Sequence, residues 1–503
     1  MPSAKSASRS GRGADPAVAI AIANALILAD SGDTPRPGAI LIEGRRIAGI
    51  AHGASAAAAL VARACEIHDA QGAVALPAFV NAHHHSYGNL LRGTESDLPL
   101  ELWALFTVAW GRALDARTLR LAILAGAAEM LRAGYAAVVD HAPQLGLRAA
   151  AVAAHRESGM RVAYAPMLHD RHDHDLLGFD LPAHVRRGVE GAGFATRDAI
   201  SAAIDELVAA TRGDERVRVL LGPNAPQRCS PELLALWASL RDRHGLGVHT
   251  HLLETRAQAT LARRLWPDGM VAELGRRGLL APGLSVAHGV WTDAADRDAL
   301  ARHGVVLVHN PSSNLMLGSG ALPFAATRDA GIAMALGSDS ANTGGRADPF
   351  EIMRLAAMLP RLGQPVAADA AAFRPGAREV FQLATEGGAA VLGLSAEAGR
   401  LAPGRLADIA LVSLAGPEMA ALEPSVELLV RHASPSCVVA TMVDGVWAYR
   451  DGRVLAFDEA AVRREIAAQA AELRDRAAAE RTIAADAARI FAPQLRRLHE
   501  TAT

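Results

Sequence analysis

From about Val74 to Ala396 the chain repeats one unit: a short apolar run rich in Val, Ile and Leu, then a longer Ala/Leu/Arg stretch of helical period. Such runs are Ala136–Val139, Val162–Ala165, Val217–Leu220, Leu246–His249, Leu284–Ala287, Val305–Val308 and Ala333–Leu336. An unbroken apolar run marks a strand covered on both faces. Strands of that kind, separated by helices, pair in parallel. The pattern therefore points to an α/β chain, either a doubly wound sheet or a barrel. At 503 residues and 51% hydrophobic, the chain can bury a core of that size.

Different patterns flank this region. Residues 17–75 read as short strands separated by turn signals such as Ser31-Gly32-Asp33 and Gly44-Arg45-Arg46. After Gly404-Arg405-Leu406-Ala407-Asp408 strand patterns return at Ile409–Val412, Val438–Val443 and Gly445–Tyr449. Asp444-Gly445 sits between the last two as a hairpin turn. Both chain ends can thus contribute strands to one small β unit. Residues 458–498 carry helical period, enough for a C-terminal helix or two.

The apolar run Ala17–Ala29 follows the basic residues Lys5, Arg9 and Arg12 and contains Ala23-Asn24-Ala25, so it also fits a short signal peptide. Its continuation into Ala39–Ala51 favours a first β-strand, with residues 1–16 as a disordered tail. No run of eighteen or more apolar residues marks a membrane span.

Charge and cysteine usage exclude further classes. The formal net charge is −2 with signs interspersed, so neither nucleic acid nor a membrane is an expected partner. Cys65, Cys229 and Cys437 lie far apart without CxxC spacing, which argues against a disulfide framework or a thiolate zinc site. A reducing, cytoplasmic location is expected.

Chemistry concentrates at the ends of the apolar runs. In Leu76-Pro77-Ala78-Phe79-Val80-Asn81-Ala82-His83-His84-His85, alternate side chains of a strand share a face. His83 and His85 then point one way and His84 the other. Two imidazoles on one face can chelate an ion, although HxH also occurs in ordinary polar loops. Leu246-Gly247-Val248-His249 leads through Thr250 to His251, with Glu254 one helical turn further on. Leu284–Ala287 ends in His288, and Ala333–Leu336 leads to Gly337-Ser338-Asp339. Barrel enzymes place their catalytic groups at such strand ends.

The series HxH, HxxE, AHG and GSD, in that order, resembles the amidohydrolase superfamily. The likeness is strongest to the mononuclear branch of cytosine and guanine deaminases, S-adenosylhomocysteine deaminases and triazine hydrolases. Leu90-Leu91-Arg92-Gly93, Asp97-Leu98-Pro99-Leu100, Trp103, Gly222-Pro223, Pro226, Cys229-Ser230 and His309-Asn310-Pro311-Ser312-Ser313-Asn314 share in it. The resemblance implies a (β/α)8 TIM-type barrel over residues 76–400, a β-sandwich domain from residues 17–75 and 401–457, and helices over 458–503.

It further implies one divalent metal ion, zinc first and iron second, held by His83, His85, His251 and Asp339. Asp339 also takes a proton from water, Glu254 carries it to the leaving group, and His288 polarises water or substrate. A solvated helix residue is the alternative reading of Glu254. His249 is expected behind His251, and Asp140-His141 in a packing or supporting role. Binuclear relatives use a carboxylated lysine, and Lys5, the only lysine, lies in the tail.

Tyr87, Trp103, Gln227, Arg228 and His169 are the candidate substrate contacts. The segment His169–Asp175 reads first as a solvated charge run and second as a metal or substrate site. The implied reaction is hydrolytic deamination of an amino-substituted nitrogen heterocycle. Alternatives are loss of chloride or an alkylamine, opening of a cyclic amide, or an inert assembly protein. The small-molecule enzyme is expected as a homodimer or larger.

Overall fold

The computed structural model describes residues 19–95, 97–362 and 375–500, so Lys5 and the expected tail 1–16 lie outside the described residues. Strands β1 (Ala19–Ile27), β2 (Arg36–Glu43), β3 (Arg46–His52), β4 (Glu66–Asp69) and β5 (Val74–Pro77) come from the front of the chain. Barrel strands follow. β6 (Phe79–His85) pairs with β7 (Tyr135–Ala142) and β7 with β8 (Arg161–Leu168). β8 in turn pairs with the short β9 (Val217–Val219) and β10 (Gly222–Pro223), all in parallel.

A second parallel arc holds β11 (Val248–Leu252), β12 (Leu284–His288), β13 (Val306–His309) and β14 (Ala333–Leu336). Two short links join the arcs. One is the parallel bridge from Leu221 to Val248. The other is β15 (Asp339–Ser340), which continues from β14 and sets Asp339 opposite His84 of β6. The pairings run through eight strand positions in the (β/α)8 arrangement, and the predicted apolar runs are its strands.

β16 (Ile409–Val412), β17 (Val438–Val443), β18 (Val446–Arg450) and β19 (Arg453–Val454) return from the far end of the chain. They join β1–β5 in one nine-stranded sheet, where β16 pairs antiparallel with β5. Ile22, Ile40, Ile409 and Met442 pack in the core of this sheet. Asp444 and Gly445 both have positive φ, 58° and 78°, as the tight hairpin between β17 and β18 requires.

Arg161, 2% exposed at the start of β8, holds the seam between sheet and barrel. Its Nη2 lies 2.9 Å from Asp444 Oδ1, and its Nε lies 3.1 Å from Asp408 Oδ2. Beyond β19 the chain forms a single helix, Glu459–Glu500. Its 42 residues span about 63 Å at 1.5 Å per residue, and it packs on helices Leu100–Arg112 and Ala116–Arg132. None of the described helices is long and apolar enough to cross a membrane.

Candidate active site

Four side chains predicted at strand ends meet at one mouth of the barrel. His83, His85 and His251 bring ligand atoms within 4.8 Å of one another, and Asp339 stands beside them. Asp339 Oδ1 is 3.2 Å from His85 Nε2 and 3.6 Å from His83 Nε2. His251 Nε2 is 3.2 Å from His85 Nε2. All four are buried.

The protons on these rings can be placed from their outer partners. Ser285 Oγ donates to the Val248 carbonyl at 3.2 Å, so it accepts from His249 Nδ1 at 2.7 Å. His249 Nε2 is then an acceptor, and His83 Nδ1 donates to it at 2.7 Å. His251 Nδ1 donates to the Asn224 carbonyl at 2.7 Å, and His85 Nδ1 to the His141 carbonyl. Each imidazole therefore spends its N–H outward and turns a bare Nε2 lone pair inward.

Burial favours this neutral form, lowering His83 to about 3 and His251 well below the ordinary histidine range. Burial pushes His85 down as well, but the Asp339 carboxylate, with the His141 carbonyl and the Asp140 charge, more than offsets it. Three lone pairs and a carboxylate facing one another, with His83 Nε2 lacking any partner, are mutually repulsive unless a cation lies between them. Two nitrogens on a tetrahedral zinc are about 3.3 Å apart, close to the spacing of His85 and His251. The donor set fits a divalent ion.

Backbone strain aims these groups. His288, Asp339 and Leu253 adopt positive φ of 76°, 60° and 46° at the strand ends. Between β14 and β15, a Cβ on Gly337 would sit 2.8 Å from His83 Cβ and 2.3 Å from Asn310 Oδ1, so only glycine lets the turn lie against His83. His84 points the other way and ties the turn down. Its Nδ1 donates to the Asp339 carbonyl at 2.8 Å, and its Nε2 accepts from Asn89 Nδ2 at 3.1 Å.

The proton-handling candidates lie alongside. His288 Nδ1 donates to Asn314 Oδ1 at 2.8 Å, leaving Nε2 as an acceptor 3.7 Å from Glu254 Oε2 and 3.8 Å from Asp339 Oδ2. Glu254 is buried, not a solvated helix residue, and its Oε1 has no hydrogen-bond partner. Burial, with the Asp339 and Glu101 charges added, raises its carboxyl well above the usual range. Ser313 Oγ donates to Asp339 Oδ2, and Ser340 N donates to Oδ1 at 2.8 Å.

A cavity of about 560 Å³ opens from this centre, and His85, His251, Glu254, His288 and Asp339 form its floor. Tyr87, Trp103, Arg228 and His169 line it as expected positions for substrate contacts. Trp103 Nε1 is buried without a partner. Arg228 gives its guanidinium to Asp173 and, at 2.8 Å, to Asn224 Oδ1. Gln227, also an expected contact, is buried and is not part of the cavity lining. Its turn, Pro226–Arg228, is 3₁₀, so successive side chains diverge by about 120° and only Arg228 faces in.

The segment His169–Asp175 is no free charge run. Asp173 pairs with Arg228, and Asp170 accepts from Ser230 N and Oγ. His174, Asp175 and Glu190 approach one another closely enough for a metal, but Arg186 already binds both carboxylates. Cys229 is buried beside Leu168 and takes no part in the metal-type clusters found among the described residues. His141 stacks on His251 at 5.0 Å, and Asp140 accepts from Ser86 and His155.

Sequence reasoning missed Glu101, a buried cavity residue whose Oε1 accepts from Thr255 Oγ1 at 2.6 Å. An acidic residue in a first helical turn reads as an ordinary N-terminal charge, so no local signal marked it. Ser313 and Asn314 sat in a recognised motif without an assigned role.

A sequence model of the amidohydrolase family matches residues 74–448. A 5-methylthioadenosine/S-adenosylhomocysteine deaminase of Thermococcus kodakarensis is 33% identical over 410 residues, 81% of this chain and 88% of that protein. A 5'-deoxyadenosine deaminase of Methanothermobacter thermautotrophicus is 32% identical over 441 residues, 87% and 95% of the two chains. Among solved structures, a zinc-bound adenosine deaminase from Xanthomonas campestris superposes with a TM-score of 0.79 at 24% identity, covering 92% of this chain and 99% of that one. The zinc complex of atrazine chlorohydrolase from Arthrobacter aurescens gives 0.79 at 22% identity over 89% and 99%. These two structures share the fold. Matched over most of its length in sequence and over nearly all of it in architecture, the chain belongs to the amidohydrolase family.

Proposed function

We propose that this protein is a metal-dependent hydrolytic deaminase that removes the amino group of an adenosine-derived nucleoside. The inward convergence of three bare Nε2 atoms and the Asp339 carboxylate, with Glu254 and His288 beside them, carries the reading. The nucleoside substrate is supported by relatives above 30% identity that are named for such deaminations. Likeness to a chlorohydrolase at 22% identity bears on the fold and not on the leaving group.

His83, His85, His251 and Asp339 would hold one divalent ion, zinc before iron, which when bound lowers the pKa of water from 15.7 to about 7. Asp339, fixed by Ser313 and Ser340, accepts a proton at Oδ2. His288 Nε2, its ring held by Asn314, orients the attacking water toward the ring carbon that bears the amino group. Glu254, whose carboxyl burial raises well above the usual range, passes the proton taken from water to the departing nitrogen. General acid–base transfer of this kind contributes about 10²- to 10⁴-fold in rate. Trp103 and Tyr87, in the cavity lining, shield the reacting ring from water.

The family resemblance also supports a homodimer or larger assembly, which sedimentation tests, and the cysteine usage supports a cytoplasmic location. Ammonia release from adenosine, 5'-deoxyadenosine, 5-methylthioadenosine and S-adenosylhomocysteine by metal-loaded protein tests the function. Release from at least one of them is expected. Activity confined to chlorinated or N-alkylated heterocycles would refute the proposed leaving group. Absence of any ion in protein purified without chelator would favour an inert assembly protein.

A further inference from the structure

The cavity does not end at the barrel. Its outer end is walled by Glu480, Ile483 and Ala484 of helix Glu459–Glu500, facing the segment that contains Val189 and Phe194. That helix lies beyond the residues matched by the family model.

Contacts along the helix hold the wall in place. A Cβ on Gly188 would fall 2.5 Å from Ile483 Cγ2, so helix Ala183–Glu190 lies directly against the Ile483 side chain. Arg112 Nη1 donates to the Gly188 carbonyl at 2.9 Å and to Glu480 Oε2 at 3.0 Å, while Nη2 donates to the Val189 carbonyl at 2.6 Å. Further along, Phe491 meets Phe179 edge-to-face at 5.1 Å, and Gln494 Oε1 accepts from Asp180 N at 3.0 Å. The long helix is anchored independently by Arg481 with Glu95 at 2.9 Å and Arg476 with Asp115 at 2.7 Å. Its position is therefore held by more than the 183–193 segment.

We propose that helix Glu459–Glu500 is a specificity element, in which Ile483 sets how large a substituent the substrate can carry at the end remote from the reacting carbon. The proposal rests on the nucleoside deaminase reading. A substrate whose amino-bearing carbon lies at the metal end must extend its opposite end along the cavity toward Ile483. Glu480 contributes by fixing Arg112, which carries the facing segment through two carbonyls. These residues are specificity and positioning residues, remote from the reacting atoms.

The test compares full-length, metal-loaded parent enzyme with Ile483→Trp and Ile483→Ala on 5'-deoxyadenosine and S-adenosylhomocysteine, short and long at the same position. Filling a pocket by a few carbon atoms changes discrimination by about tenfold or more. Ile483→Trp is therefore expected to lower kcat/KM for the long substrate about tenfold relative to the short one, through KM and with kcat for the short substrate retained. Ile483→Ala is expected to shift the same ratio toward the long substrate, and it carries the test should the Trp variant fail to fold by circular dichroism. An unchanged ratio in folded variants of an active enzyme overturns the wall proposal alone. A parent that deaminates none of the nucleosides overturns the functional reading and this proposal with it.

Discussion

Replacing His249 by Phe isolates the proton relay behind the metal ligands. In the parent, His83 Nδ1–H is bonded to His249 Nε2 at 2.7 Å, and that bond keeps the His83 lone pair on Nε2. Phenylalanine keeps the ring's bulk, so little cavity forms, but it offers no acceptor. The His83 proton then sits on a buried, unsatisfied nitrogen, which costs about 1–3 kcal/mol. In the metal-free variant His83 avoids this cost by moving the proton to Nε2, toward Asp339 Oδ1 at 3.6 Å. Metal binding must reverse that shift. Affinity should fall by the same 1–3 kcal/mol, roughly 5- to 150-fold in Kd, which brackets the 10- to 100-fold typical of lost outer partners. Competition titration against a chelator of known affinity measures it, with kcat read at saturating metal. A Kd within twofold of the parent would refute the relay, and so would a collapse of kcat at unchanged Kd, because that result would place His249 against the substrate.

Glu254→Gln should retain its metal and fold while kcat falls about 10²- to 10⁴-fold, as steady-state kinetics and metal analysis would show. Arg161→Met leaves the buried carboxylate of Asp408 without a cation, while Asp444 keeps Arg45 at 2.8 Å, so denaturant unfolding should show a loss of about 3 kcal/mol. Asp296, in the capping box of helix Ala294–Arg302, is pushed up by burial to about 6 from an ordinary 3.8. Its folded state therefore binds the proton more tightly than the unfolded chain. The stabilisation is complete below about pH 4 and is lost as pH rises through about 6. Asp296→Asn should flatten that part of the stability–pH curve, and an unchanged slope between pH 4 and 6 would contradict the assignment.

Much of the centre was legible because it follows strand periodicity. His83 and His85 share a face by alternation, and His251 and Asp339 fall where apolar runs stop, so their positions needed only the strand pattern. The hairpin at Asp444-Gly445 was legible for the same local reason. What escaped depends on partners distant in sequence. Nothing near Asp173 announces that Arg228 will bind it, so the loop read as solvated. Gln227 and Arg228 look equivalent until the 3₁₀ turn separates their directions. Glu101 is met at the cavity by Thr255, from another part of the barrel, which its own segment does not announce. Amphipathic period in the C-terminal helix shows that one face is covered, but not that Ile483 closes the cavity.

One ion at one place underlies the proposed chemistry, and an anomalous-scattering map of crystals grown from chelator-free, zinc-loaded protein tests it most directly. The expected map holds one strong peak per chain, bonded to the Nε2 atoms of His83, His85 and His251 and to Asp339. A peak at His174 and Glu190, or no peak between the three imidazoles, would contradict it.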